Sequence, residues 1–90
     1  MHAVVVRVTI NDLEPATEIL NDQVVPMASG APGFVTGYWS QAEDKSNGMG
    51  FIVCENEEAA YALADQVGQG PETDAVTLEG VEVREVVANA

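Results

Sequence analysis

The sequence predicts an α+β fold with the element order β-α-β-β-α-β, in which one antiparallel sheet carries both helices on the same face. The first observation behind this prediction is a near-repeat: residues 8–24 align with residues 51–67 at an offset of 43 and share residues such as Leu20 and Leu63. The second is length, since 90 residues form a single domain, residues 1–90, with room for two such units. Each copy starts with strand-like residues and continues at helical spacing, so two β-α-β units sharing one sheet are the compact solution.

The first unit begins with a β-branched segment, residues 3–10, which predicts the first strand. Asp12 is a polar cap for the helix that follows, and Pro15 is tolerated in the first turn of that helix. Apolar residues then recur at helical spacing until Pro26 interrupts them, so we expect the helix to kink or restart just before this proline. The glycine- and proline-rich segment 30–33 ends the helix.

Two strands joined by a hairpin follow. They are predicted at residues 34–41 and 49–54, and the loop 43–48 between them contains an Asn-Gly pair that favours a tight turn. Asn56 caps the second helix, whose stripe of small apolar residues ends at Gly68.

The chain closes with another strand. Gly70 and Pro71 reinforce the end of the second helix, and the connection 72–80 leaves open a short extra strand at Val76 and Leu78. The last strand is predicted at residues 81–87, because valines alternate there with charged residues.

The repeat also predicts which side chains face the helices. Side chains alternate along a strand, so the offset of 43 matches residues of the first and third strands that face the same side. The predicted helix-facing core is Val6, Val8, Ile10, Met49, Phe51 and Val53. The opposite face is mainly apolar, so we expect a second copy of the sheet to cover it and form a homodimer. The predicted interface residues are Val5, Arg7, Ile52, Cys54 and Arg84.

The charge of the chain excludes several partners. Fifteen acidic and three basic residues give a net charge of −12, which repels phosphate backbones and anionic headgroups. We therefore expect no nucleic acid partner and no membrane partner. The single cysteine, Cys54, has no internal disulfide partner, and no basic leader precedes the first strand, so we expect a cytoplasmic protein.

Two segments carry a family resemblance. The sequence Ala-Pro-Gly-Phe-Val-Thr-Gly at 31–37 and the sequence Asn-Glu-Glu-Ala-Ala at 56–60, with the late proline of the first helix, resemble the dimeric α/β-barrel superfamily. The closest branch is that of the antibiotic biosynthesis monooxygenase-like domains. The resemblance spans nearly the whole chain and implies a ferredoxin-like monomer whose sheet packs against that of its mate, often with an apolar pocket between sheet and helices.

The resemblance also sets expectations about chemistry. Its members include cofactor-independent oxygenases that act on phenolic polyketides and enzymes that degrade haem. Haem-handling relatives generally supply a histidine from the second helix, and residues 56–68 contain none. We therefore predict no haem and no other cofactor.

No residue is predicted to be catalytic or to bind a metal. His2 is the only histidine and is interpreted as a strand-end residue, and Cys54 as a small buried residue rather than a nucleophile. The acidic residues of the two helices lie in first turns or on outer faces, which is typical of solvated surface.

Aromatic residues are the candidates for a ligand pocket. Tyr38 and Trp39 are adjacent on a strand, so one points to the pocket side and the other to the dimer side. The predicted lining is Tyr38, Trp39, Met49, Phe51 and Tyr61, with a mouth near Pro26 or the connection 72–80. In the competing interpretation, these residues only anchor the core and the interface.

Two arginines lie on neighbouring predicted strands. Arg7 and Arg84 share the parity of the face away from the helices, and the first and last strands are neighbours in this fold, so we expect the two guanidinium groups to lie close together. We interpret them as interface salt bridges with Glu82 or with an acid of a partner, and an anion site is the alternative.

Three functions remain open from the sequence. The leading hypothesis is a small homodimer that binds a small apolar or aromatic molecule. The second is a cofactor-independent monooxygenase acting on a phenolic or quinol substrate, and the third is a dimerisation module that binds no ligand.

Overall fold

The computed structural model describes residues 1–70 and 73–90, and it has the predicted architecture. Its four strands form one antiparallel sheet with the order β2-β3-β1-β4, and the helices pack on one face of it. This is the ferredoxin-like α+β fold. The strands are β1 (His2–Ile10), β2 (Phe34–Gln41), β3 (Asn47–Cys54) and β4 (Val76–Glu85). The helical elements are α1 (Leu13–Ile19), a π-helical turn (Leu20–Val24), α2 (Val25–Ser29) and α3 (Glu57–Gly68).

Most element boundaries follow the local sequence. The predicted restart before Pro26 is confirmed by α2, but the π-helical turn in front of α2 was not predicted. β4 is one strand from Val76 onward, because its pairing with β1 continues past an irregularity beside Arg7. Pro71 and Glu72, which belong to the predicted helix stop and to the connection 72–80, lie outside the described residues.

Both predicted cap residues stand at the N-cap position, but only Asn56 caps its helix with its side chain, since the side chain of Asp12 makes no capping hydrogen bond. Asp12 and Asn56 have extended backbones immediately before α1 and α3, and the side chain of Asn56 accepts a hydrogen bond of 2.8 Å from the Ala59 N–H. Gly33 has φ +81, and a Cβ there would lie 2.7 Å from the Cβ of Ala59. The turn before β2 therefore requires glycine, because both its backbone conformation and its close approach to α3 exclude a side chain.

The pairing of β1 with β3 decides which side chains form the core. Val4 lies opposite Ile52 and Val6 opposite Gly50, so even-numbered residues of both strands share a face. That face meets the helices. The fully packed cluster consists of Val4, Ala28, Ile52, Cys54, Ala60 and Leu63.

The predicted facing of β3 is therefore wrong. Met49, Phe51 and Val53 lie on the face away from the helices, whereas Ile52 and Cys54, predicted there, are in the core. The predicted facing of Val6, Val8 and Ile10 agrees with the structure.

The error comes from the offset of the repeat. The caps Asp12 and Asn56, and likewise the strand ends Ile10 and Cys54, are 44 residues apart rather than 43. A shift of one residue along a strand moves every side chain to the other face, so the offset of 43 inverts the facing of β3.

We predict that Ile52→Ala lowers the free energy of unfolding by about 2–5 kcal/mol, because it removes a side chain that is only 1% exposed. Phe51→Ala, one position away on the other face, is the matched control and should cost less, since Phe51 is 41% exposed. Denaturant unfolding of both variants at low protein concentration measures the difference. A larger loss for Phe51→Ala would contradict the observed register.

Candidate ligand-binding site

A cavity of about 430 Å³ lies between the sheet and the first helix, by which we mean α1, the π-helical turn and α2 together. It exists because α3 packs across β1, β3 and β4, and α2 packs on β2, while α1 and the π-helical turn stand off from the strands. The sheet contributes Val6, Val8 and Ile10 to one wall, and the helical region contributes Ile19, Leu20 and Val24 to the other. The site therefore has a rigid sheet on one side and an irregular helix on the other.

Glycines open the sheet side of the cavity. Gly48 and Gly50 occupy helix-facing positions of β3, and both line the cavity. A Cβ on Gly50 would lie 3.0 Å from Cδ1 of Trp39, and a Cβ on Gly37 would lie 2.9 Å from Cη2 of the same indole. The Trp39 ring thus lies across Gly37 and Gly50, close to the sheet. Glycine weakens a strand interior, so it is expected where a ring or a ligand must approach the backbone closely.

The described lining of the cavity is uncharged. Among the described residues that line it, none has an ionisable side chain. Its polar groups include the Thr17 hydroxyl, which donates to the Leu13 carbonyl, and the Thr73 hydroxyl, which accepts from the Ala75 N–H. Within the described residues, the Trp39 indole N–H and the Gln41 amide make no hydrogen bond, so they remain available to a bound molecule.

The structure brings only part of the predicted pocket together. Trp39 lines the cavity. Met49 also contributes to the lining, although its position in β3 belongs to the face away from the helices. Tyr38 and Phe51 lie on the face away from the helices, so they do not line this cavity. Tyr61 lies on the side of α3 next to Val81 and Val83 of β4, does not line this cavity, and is 58% exposed.

Sequence reasoning missed the glycines and the helical wall of the cavity. The alternation Gly48-Met49-Gly50 was the available signal, since two glycines on one face of a strand leave space beside it. The mouth was expected near Pro26 or the connection 72–80. Gly70 and Thr73 line the cavity at that connection, whereas Pro26 is not among the lining residues.

The predicted interface residues divide between the two faces. Val5, Arg7 and Arg84 belong to the face away from the helices, and Ile52 and Cys54 do not. The interface itself stays a prediction.

Arg7 and Arg84 both pair with Glu82. The Arg7 Nη1 atom lies 3.1 Å from Oε1 of Glu82, and the Arg84 Nη2 atom lies 3.2 Å from Oε2. Desolvation raises the pKa of the Glu82 carboxyl, but the hydrogen bonds and charges of Arg84 and Arg7 outweigh it, so the net shift of this pKa is downward. A single carboxylate thus contacts both guanidinium groups.

His2 and Cys54 do not line the cavity. The Nε2 atom of His2 lies 3.5 Å from Oε2 of Glu57 at the start of β1. Cys54 is buried, and burial raises the pKa of its thiol, which disfavours the nucleophilic thiolate. In the described part of the chain, no three residues of the His, Cys, Asp and Glu types are grouped to hold a metal ion.

No helix within residues 1–70 and 73–90 is long and apolar enough to cross a membrane.

Comparison with known proteins supports the fold. No protein-family model matches the chain, and a search of curated proteins gives no match. Among solved structures, the chain is similar to a monooxygenase from the gene ActVA-Orf6 of Streptomyces coelicolor in complex with the ligand nanaomycin D. The TM-score is 0.56 at 13% sequence identity, over 99% of this chain and 92% of that chain. The similarity confirms an antibiotic biosynthesis monooxygenase-type fold.

Proposed function

We propose that this protein binds a small, neutral, planar aromatic molecule in the cavity between its sheet and its first helix. The proposal rests on the monooxygenase-type fold and on a cavity whose described lining residues are uncharged. The observation that carries the proposal is the apolar cavity beside the Trp39 ring. Its volume of about 430 Å³ falls within the usual range for small-molecule sites.

The lining supports a neutral ligand. A buried charge needs an opposite charge or several hydrogen bonds, and the described lining residues supply no charge. The net charge of −12 further disfavours an anion. Stacking against Trp39 favours a flat ring, and the free indole N–H and Gln41 amide suit a hydroxyl or carbonyl substituent.

We predict that 1-naphthol quenches or shifts the fluorescence of Trp39, the only tryptophan, and raises the melting temperature of the protein. Val8→Phe should abolish both effects, because the larger ring fills the cavity. Val87→Phe is the matched control, since Val87 is outside the sheet and 85% exposed. Equal binding of 1-naphthol by wild type and Val8→Phe would refute the site.

A second ligand tests whether the cavity prefers a neutral molecule to an anion. The anion 1-naphthoate, which has the same ring system as 1-naphthol, should bind more weakly because the cavity offers it no cation. Tighter binding of the anion would refute a neutral ligand.

The second candidate function is cofactor-independent monooxygenation of a phenol, and the similarity to a monooxygenase with a bound ligand supports it. In this reaction, O2 places one oxygen atom on the ring carbon para to the hydroxyl and the other oxygen leaves as water, so the phenol supplies all four electrons and becomes a quinone. The role of the protein would be to orient the phenol and to exclude bulk water.

We predict for this candidate that 1-naphthol and O2 yield 1,4-naphthoquinone and water without any added cofactor. An oxygen electrode and absorbance follow the reaction, and turnover should be retained in Val87→Phe and lost in Val8→Phe. Binding of 1-naphthol without oxygen uptake leaves the protein a binder and refutes the enzyme.

We also propose that the protein is a homodimer that joins two copies through the face away from the helices. Large apolar side chains on this face are exposed in the single chain, with Tyr38 at 71%, Met49 at 47% and Phe51 at 41%. A second copy of the same sheet would remove this surface from water. Ile52, one of the predicted interface residues, faces the helices and cannot test this interface.

Phe51→Glu should convert the homodimer to monomer, because it places a charge within the buried apolar surface. Tyr61→Glu is the matched control, since Tyr61 is also aromatic and exposed but lies on α3. Light scattering at micromolar concentration measures the assembly. A monomeric wild type would refute the dimer, and a dimer that binds no aromatic probe would leave a dimerisation module.

A further inference from the structure

The two β-α-β units differ in length by one residue inside the helix. At the start of the two helices, equivalent positions lie 44 residues apart, as the N-cap residues Asp12 and Asn56 show. The buried alanines Ala16 and Ala60 keep the same spacing. Further along the helices, identical residues lie 43 apart, as in the pairs Leu20/Leu63, Asp22/Asp65, Gln23/Gln66 and Val24/Val67. The first helix therefore contains one extra residue between the alanine and the leucine.

The π-helical turn directly follows the interval, residues 17–19, in which the comparison of the two units places the extra residue. It spans Leu20–Val24, and the N–H of Val25 bonds to the carbonyl of Leu20, five residues back. A single residue added to an α-helix produces a wider turn of this kind, because the residues on either side keep their faces. The Asn21 side chain donates a hydrogen bond of 3.0 Å to the Thr17 carbonyl beside the turn. The turn is thus supported locally.

The uninterrupted copy shows what the wide turn changes. In α3, which has no extra residue, Leu63 is 1% exposed and belongs to the packed core. Its counterpart by sequence identity is Leu20, and its counterpart by helical position is Ile19, which follows Ala16 as Leu63 follows Ala60. Both line the cavity instead. Equivalent residues on two similar helices therefore pack in one unit and leave space in the other.

We propose that the extra residue, absorbed as the π-helical turn Leu20–Val24, holds the first helix away from the sheet and so creates the cavity and sets the size of the ligand it admits. This inference rests on the proposed function for its ligand, but the existence of the cavity can be measured without one. If the turn sets the width of the cavity, Leu20 and Val24, which line the cavity from the turn, determine the size of the ligand.

The test removes the extra residue. Glu18 is exposed, lies between Ala16 and Leu20, and does not line the cavity, so its deletion restores the spacing of α3 without removing a wall residue. Crystals of wild type under xenon should show the gas between the first helix and the sheet, because apolar cavities take up xenon. Deletion of Glu18 should abolish the xenon site and the binding of 1-naphthol together.

Two further variants separate the extra residue from other causes. Glu18→Ala keeps the length of the helix and should retain xenon. Pro26→Ala should also retain it. Pro26 lacks a backbone N–H and so could itself break the helix, and loss of the xenon site in this variant would assign the cavity to the proline and overturn the proposal.

Every outcome of the deletion is decisive. A folded deletion variant that still holds xenon overturns the proposal, as does wild type without xenon at this place. A deletion variant that cannot fold overturns it too, since α3 shows that a helix of this pattern packs without the extra residue. Xenon without 1-naphthol binding in wild type would refute the proposed ligand and leave this inference standing.

Discussion

The antiparallel pairing of β1 with β3 is the constraint on which the rest of the structure depends. It places Val4 opposite Ile52 and Val6 opposite Gly50 on the face that meets the helices. Along β3 this face changes from large side chains near Cys54 to glycines toward the other end. One half of the sheet therefore forms a packed core under α3, and the other half leaves space for a cavity. A shift of one residue in this pairing would replace both features with the side chains of the opposite face.

Surface charge and the candidate ligand site are separated in this protein. The chain has a net charge of −12, whereas the described residues that line the cavity are all uncharged. Such a cavity retains a molecule by burial of apolar surface and by shape, while a few polar groups fix its orientation. On the opposite face, Glu82 joins Arg7 and Arg84, two of the three basic residues. One carboxylate thus compensates part of this scarce positive charge on the face away from the helices.

The two β-α-β units share a pattern but differ in role. α3 is continuous and buries Leu63 against the sheet, whereas the first helix is interrupted and presents Leu20 to an open space. Similarity to a monooxygenase establishes the fold, but a fold hosts many activities, so function has to be argued from the site. In this chain, the site arises from the difference between two similar halves.

The sequence by itself determined the elements and their order, because helix caps such as Asp12 and Asn56, the break at Pro26 and the strand-like segments act over a few residues. It also indicated that Trp39 is a candidate for the pocket. Only the tertiary structure decided that Ile52 rather than Phe51 enters the core. The repeat misled because its clearest identities lie beyond the extra residue of the first helix, where the offset is 43, while the strands follow 44. The facing of a side chain alternates with a period of two, so it depends on pairing between distant strands, and one residue added between them reverses it.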